Sequence, residues 1–215
     1  MYSIIQAAGW PIWLLVACSV VALALVIERF ASLKTSRVVP ARLLDEALTV
    51  SRLSVPSPDV VVQLEMNSAL GEVLASGCRV LNANPRCSEQ DLRAAMEGTG
   101  RAVAHRLERY LSALATIASA APLLGLFGTI IGMIEIFGSQ APGGLTGSGL
   151  GPGNPAQLAH GISIALYNTA FGLMIAIPSL MFWRYFRARV DGFLLTMELA
   201  SDRYLRHLIT LRRTP

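Results

Sequence analysis

Three stretches of the chain are almost wholly apolar: Trp10 to Ile27, Leu111 to Phe137 and Ala159 to Trp183. The shortest has eighteen residues, roughly 27 Å of helix at 1.5 Å per residue and enough to cross a bilayer core. Trp10 and Trp13 sit at the outer end of the first stretch, as interfacial aromatics do, and Glu28-Arg29 marks its other exit. Elsewhere apolar positions recur at helical spacing. One stripe runs Leu92, Met96, Val103, Leu107, Tyr110, Leu114; another runs Phe186, Val190, Phe193, Met197, Ala200, Tyr204, Leu208, Leu211. Local signals set helix ends between the first two stretches. Pro40 to Arg52 predicts a short helix, and Ser57-Pro58-Asp59 caps a second that runs to about Asn82 and stops at Asn84-Pro85. Ser88-Glu89-Gln90-Asp91 opens a third with a capping-box pattern. With no proline before Pro122, this helix is predicted to run unbroken into the second apolar stretch, about 75 Å from Ser88 to Phe137. The third stretch likewise continues into the C-terminal tail. Two such rods predict a helical bundle beyond the membrane, with self-association to cover their stripes.

Charge then orients the pattern. All eighteen Lys and Arg residues lie in two blocks, Arg29 to Arg109 and Arg184 to Arg213. Basic residues resist translocation, so both blocks belong to the cytoplasmic side. The expected organisation is a periplasmic N-terminus (1–9), a first span (10–28), a cytoplasmic helical domain (29–110), a second span (111–137), a periplasmic loop (138–158), a third span (159–183) and a cytoplasmic C-terminal helix (184–215). The loop is rich in Gly and Pro and carries no charge, the composition of a flexible connector. The fold class is an all-α membrane protein of three transmembrane helices, the second and third extended into a cytoplasmic helical bundle. With 53% hydrophobic and 15% charged residues the chain is not an ordinary soluble domain. Its bases alternate with acids at helical spacing, which describes a solvated face and not a nucleic-acid surface. Cys18, Cys78 and Cys87 form no framework and, with His105, His160 and His207 scattered, no metal site. No positive stretch precedes the first apolar run, so no cleavable signal peptide is expected. Nothing suggests a nucleophile or a cofactor, and no enzyme is predicted.

Candidate chemistry lies in the spans. The second contains Thr-Ile-Ala-Ser-Ala-Ala-Pro-Leu-Leu-Gly-Leu-Phe-Gly-Thr-Ile-Ile-Gly-Met (Thr116 to Met133), followed by Glu135. The third contains Gly-Ile-Ser-Ile-Ala-Leu-Tyr-Asn-Thr-Ala-Phe-Gly-Leu-Met-Ile-Ala-Ile-Pro (Gly161 to Pro178). Small residues at Gly125, Gly128 and Gly132, and at Gly161, Ala165, Gly172 and Ala176, allow close helix approach. Ser119 reads as bonded back to its own helix. Thr129, Asn168 and Thr169 together point to a bundle interior or a wetted path. Glu135 either snorkels to the outer interface or serves as an outer relay.

These two stretches resemble the proton-channel family of ExbB, TolQ and MotA, most closely its ExbB and TolQ members; MotA normally has a fourth span. The resemblance extends to the length, the three spans and Glu28-Arg29. It implies a bacterial inner-membrane homopentamer around a dimer of an ExbD-like single-span partner whose aspartate titrates. That motor would convert the proton gradient into work on outer-membrane transport through a TonB-like protein. Thr129 and Thr169 take the positions of the family's pore threonines, with Asn168 and Ser163 beside them. The family usually has an acid three residues after the Gly that opens the third-span motif; here Ile164 stands there, and the neighbouring Ser163 cannot replace a carboxylate. A TolQ-like subunit of the Tol-Pal envelope system and a non-conducting membrane scaffold are the alternative readings.

Overall fold

A computed structural model describes residues 10–52, 55–140 and 155–213, without the side chains of 139–140, 155–158, 160, 161, 164 and 212–213. The expected N-terminal segment and most of the Gly/Pro-rich loop fall outside these residues. Eight helices follow one another among them: α1 (Pro11–Ser32), α2 (Thr35–Val38), α3 (Leu43–Val50), α4 (Pro58–Asn67), α5 (Ala69–Ala83), α6 (Glu89–Glu108), α7 (Leu111–Gln140) and α8 (Pro155–Arg213). No strand occurs among the described residues. Three helical runs are long and apolar enough to cross a membrane: Pro11–Ser32, Glu89–Gly138 and Ala165–Leu211. The chain divides into two compact units, one of Met1–Ile27 with Leu111–Arg184, the other of Glu28–Tyr110 with Tyr185–Pro215.

In the second unit the predicted stripes form the core. Leu92, Val103, Phe186, Val190, Tyr204 and Leu208 are all under 2% exposed, alongside Leu70 and Leu74 of α5. Each such side chain contributes about 1.5–3 kcal/mol of hydrophobic burial. The expectation that the stripes require self-association is therefore corrected: α5, α6 and the tail of α8 bury them within one chain. Gly77 of α5 shows how tightly, since a methyl placed on it would lie 2.9 Å from the Met96 sulfur and 3.2 Å from Leu208 Cδ1. In the same core the Cys78 sulfur stands 3.0 Å from the Tyr204 hydroxyl. Burial pushes both groups above their ordinary pKa values, so both stay protonated and uncharged at neutral pH.

Helix ends follow local chemistry in part. The capping box forms as the pattern predicts: Asp91 N–H donates to Ser88 Oγ at 3.1 Å and Ser88 N–H to the Asp91 carboxylate at 2.9 Å. Bonding to the Ser88 hydroxyl, then to its N–H, holds the exposed Asp91 carboxyl below the usual carboxylate range. Asn84, extended before Pro85, ends α5. The first predicted helix is shorter than expected, Leu43–Val50, with a separate turn of helix at Thr35–Val38. Ser57 stands at the N-cap of α4, but its side chain makes no cap bond.

The helix predicted from Ser57 to Asn82 breaks at Ser68. That residue is fully extended (φ −164°, ψ 169°), and its hydroxyl caps α5 by accepting from Gly71 N–H at 3.1 Å. The break folds α5 back so closely that a Cβ on Gly71 would collide with the Leu64 carbonyl oxygen. Gly71→Ala is accordingly expected to destabilise this unit by about 1–3 kcal/mol. Urea unfolding of the full-length protein in detergent, followed by circular dichroism, reads the effect; an unchanged midpoint would show that the corner yields without cost.

The predicted continuity of the third helix with the second span also needs correction. The helical ladder is interrupted at Arg109–Tyr110, although Arg109 keeps right-handed helical dihedrals (φ −44°, ψ −41°). The cause comes from α1. That helix runs past its expected end at 28 to Ser32, and Arg29 is buried instead of marking an interface. Its guanidinium binds both Glu28 carboxylate oxygens, and its Nη1 donates to the Leu107 carbonyl at 2.8 Å. An α-helical ladder would assign that carbonyl to the Leu111 N–H. A side chain inserted into the ladder is a recognised cause of such an interruption. Arg29 and Arg109 each also lie 4.9 Å from the Tyr110 ring centre.

Candidate functional site

In the first unit α7 and the first half of α8 run antiparallel and touch backbone to backbone. The register follows from what a methyl on each glycine would meet. On Gly172 it would lie 2.6 Å from the Ala121 carbonyl oxygen; on Gly125, 2.7 Å from the Asn168 carbonyl oxygen and 3.0 Å from Thr169 Cα. On Gly128 it would lie 2.8 Å from the Asn168 side-chain nitrogen, and on Gly132, 3.3 Å from Ala165 Cβ. Without a hydrophobic drive between helices in lipid, such close packing is what small residues supply. Leu15 of α1 meets Ala121 and Ala176 at the centre of this unit, with Leu124, Phe171 and Ile175 packed around them. Gly161 and Ile164 lie outside the described side chains.

The polar candidates divide by face. Asn168 is 1% exposed, set against Gly128 between the two helices. Thr129 and Thr169 are half-buried, and Ser163 and Glu135 are exposed. Thr169 sits over Gly125, one helical turn along α7 from Thr129. Within the isolated chain the Thr129 hydroxyl donates to the Leu126 carbonyl at 2.6 Å, the back-bonded arrangement expected of Ser119. Ser119 adopts it too, with the Ala115 and Thr116 carbonyls at 3.1 and 3.0 Å. A back-bonded hydroxyl still has lone pairs to accept from water or from a neighbouring acid. Ser179 of α8 is a further buried polar residue that the sequence pattern does not single out; its hydroxyl donates to the Ile175 carbonyl at 2.8 Å.

Around these residues the exposed surface is apolar: Leu123, Leu126, Phe127 and Ile130 on α7, Leu166, Leu173 and Met174 on α8. A groove of about 490 Å³ between α1 and α8 includes none of Thr129, Asn168, Thr169, Ser163 and Glu135 in its lining. Glu135 is the one Asp, Glu, Lys or Arg in residues 111–183. Among the described residues no three His, Cys, Asp or Glu side chains stand close enough to hold a metal ion. The arrangement therefore offers hydroxyls beside a close-packed helix pair, and no carboxylate of its own at mid-span.

Comparison with known proteins gives the same picture over a longer stretch. Residues 65–199 match the sequence model of the MotA/TolQ/ExbB proton channel family. An ExbB-like biopolymer transport protein of Synechocystis sp. is 31% identical over 176 residues, covering 81% of this chain and 79% of its own. The biopolymer transport protein exbB1 of Vibrio cholerae is 32% identical over 176 residues, covering 81% and 73%. The Tol-Pal system protein TolQ of Pseudomonas aeruginosa is 31% identical over 143 residues, covering 63% and 55%. The stretch matched spans the α5–α6 core, the glycine-lined pair and the first part of the tail, and the chain belongs to the MotA/TolQ/ExbB proton channel family.

Proposed function

We propose that this chain is the ion-conducting subunit of an ExbB–ExbD-type inner-membrane motor that turns the proton motive force into work for TonB-dependent outer-membrane transport. The observation that carries the reading is the α7–α8 pair: its glycines bring the backbones into contact and leave Thr129 and Thr169 half-buried on an otherwise apolar surface. The distribution of Lys and Arg supports an N-terminus on the periplasmic side and the helical unit in the cytoplasm.

A proton cannot be relayed across apolar side chains without a group that binds it. Glu135 stands near the outer end of its helix, so the titrating acid comes from a single-span partner, an aspartate by the family's pattern. Protonation removes the partner's charge and lets it move past a wall that rejects the ion. Each charge crossing yields ~2.3 kcal/mol per 100 mV. Thr129 and Thr169 supply hydrogen bonds to that acid or to its waters, and Asn168 holds the two helices in register. A pentamer around a partner dimer would present unequal walls to the two acids and so favour alternating engagement.

A TolQ-like role in the Tol-Pal system is the second reading, favoured by the likeness to TolQ. Ile164 in place of an acid keeps a non-conducting scaffold as a further alternative. Thr129→Val and Thr169→Val separate conduction from scaffolding. Each is expected to lower proton-driven uptake roughly ten-fold, the effect of a 1–2 kcal/mol loss of one hydrogen bond in apolar surroundings. Native mass spectrometry with the partner confirms assembly. Undiminished uptake by intact complexes would remove both threonines from the path.

A further inference from the structure

Arg189 lies six residues past Trp183, the last residue of the third apolar stretch. Three neutral acceptors hold its guanidinium: the Leu33 carbonyl at 3.2 Å from Nε, the Tyr185 hydroxyl at 3.3 Å from Nη1 and the Thr35 hydroxyl at 3.2 Å from Nη2. A guanidinium has five N–H donors, so each terminal nitrogen keeps one to offer. Its charge also stays uncompensated. The nearby acids serve other cations, Glu28 with Arg29 and both Glu108 and Asp191 with Arg187. Among the described residues no carboxylate comes within 4.0 Å of Arg189 or of exposed Lys34.

Arg189 and Lys34 share a small pocket of about 90 Å³ with Phe30 and Tyr185, room for roughly three waters at ~30 Å³ each. Phe30 and Tyr185 are half-exposed, their ring centres 6.1 Å apart. Phe30 follows Ile27, the end of the first apolar stretch, by three residues on the same helix. Exposed aromatic rings at the end of an apolar span belong to the headgroup layer. Cations held at that level meet phosphate oxygens. Two uncompensated cations favour a lipid with net negative charge over one whose phosphate carries its own ammonium.

We infer that this pocket binds the phosphate of an anionic phospholipid headgroup, with Arg189 and Lys34 as its ligands and Phe30 and Tyr185 flanking them. The inference needs only that the spans cross a bilayer, and stands apart from the ion-conduction reading. Anionic lipid is abundant in the leaflet that faces basic segments. Arg189, fixed by three hydrogen bonds before the lipid arrives, loses little side-chain freedom on binding.

The test is native mass spectrometry of the full-length protein in detergent, titrated with phosphatidylglycerol or phosphatidylcholine, with inorganic phosphate as competitor. Phosphatidylglycerol adducts are expected to dominate, and Lys34→Gln and Arg189→Gln each to weaken them about five-fold. Circular dichroism checks that both variants fold; if Arg189→Gln does not, the exposed Lys34→Gln decides. An unchanged preference for phosphatidylglycerol in the folded variants would overturn the assignment. So would equal retention of the two lipids by the unmodified protein, or displacement of the adduct by millimolar phosphate, which would assign the pocket to a soluble anion.

Discussion

Alanine at Arg29 is expected to destabilise the helical unit by about 2–4 kcal/mol, close to the cost of breaking a buried ion pair. The Arg29 side chain is 4% exposed and that of Glu28 is 44% exposed. Removing the cation therefore leaves a carboxylate that water can partly reach, which holds the expected cost below that of a fully buried pair. Three further losses add to it: the bond to the Leu107 carbonyl, the contact over Tyr110, and the volume of the side chain itself. Arg29→Lys separates charge from geometry, because a lysine cannot hold Glu28 with two parallel bonds and reach Leu107 as well. It should recover less than half of the lost stability. Thermal unfolding of the detergent-solubilised protein, followed by helicity, is the measurement. An Arg29→Ala protein that melts with the unmodified one would show that the interruption at Arg109–Tyr110 has another cause.

Leucine at Gly172 is expected to abolish proton-driven uptake while the protein still reaches the membrane. Even a methyl there would lie 2.6 Å from the Ala121 carbonyl oxygen and 3.2 Å from Gly125 Cα. Both are backbone atoms, so no side chain can turn away; the helices must separate. Gly172→Ala, an overpacking of about 1–3 kcal/mol, should give a partial loss and Gly172→Leu a complete one. The separation would also pull Thr169 away from Gly125 and shift it relative to Thr129. Gly98→Ala is the control. A methyl at Gly98 meets nothing within 4 Å, and helix propensity alone makes alanine better there by roughly 0.5–1 kcal/mol. Full uptake by Gly172→Leu at normal membrane levels would mean that the close pair has no part in conduction.

These two positions differ in how legible they were. Gly172 belongs to a spacing of small residues within one apolar stretch, and that spacing already states that two helices come close. Arg29 reads in the sequence as the charged end of a span. Its partner carbonyl on Leu107 is 78 residues away, and no local pattern encodes so distant a contact. Ser68 teaches the same lesson from a different cause. Leu64 to Gly71 reads as continuous helix by propensity, and the chain breaks there because α4 and α5 gain more by packing than one unbroken helix would. The capping box at Ser88 was readable because both of its partners lie within four residues.

The sequence by itself determined the three membrane-length helices, the stripes that become the core, and the segregation of Lys and Arg. Each is a sum over neighbouring residues, through hydropathy, 3.6-residue periodicity or charge, and needs no knowledge of what lies opposite. Tertiary structure decided that the stripes are covered within one chain, that α6 and α7 part at Arg109–Tyr110, and that Asn168 turns inward while Thr169 remains half-exposed. Those outcomes depend on which surfaces meet. A pair of adjacent polar residues on a helix differs in direction by about 100°, and only the position of the facing helix says which of the two it covers.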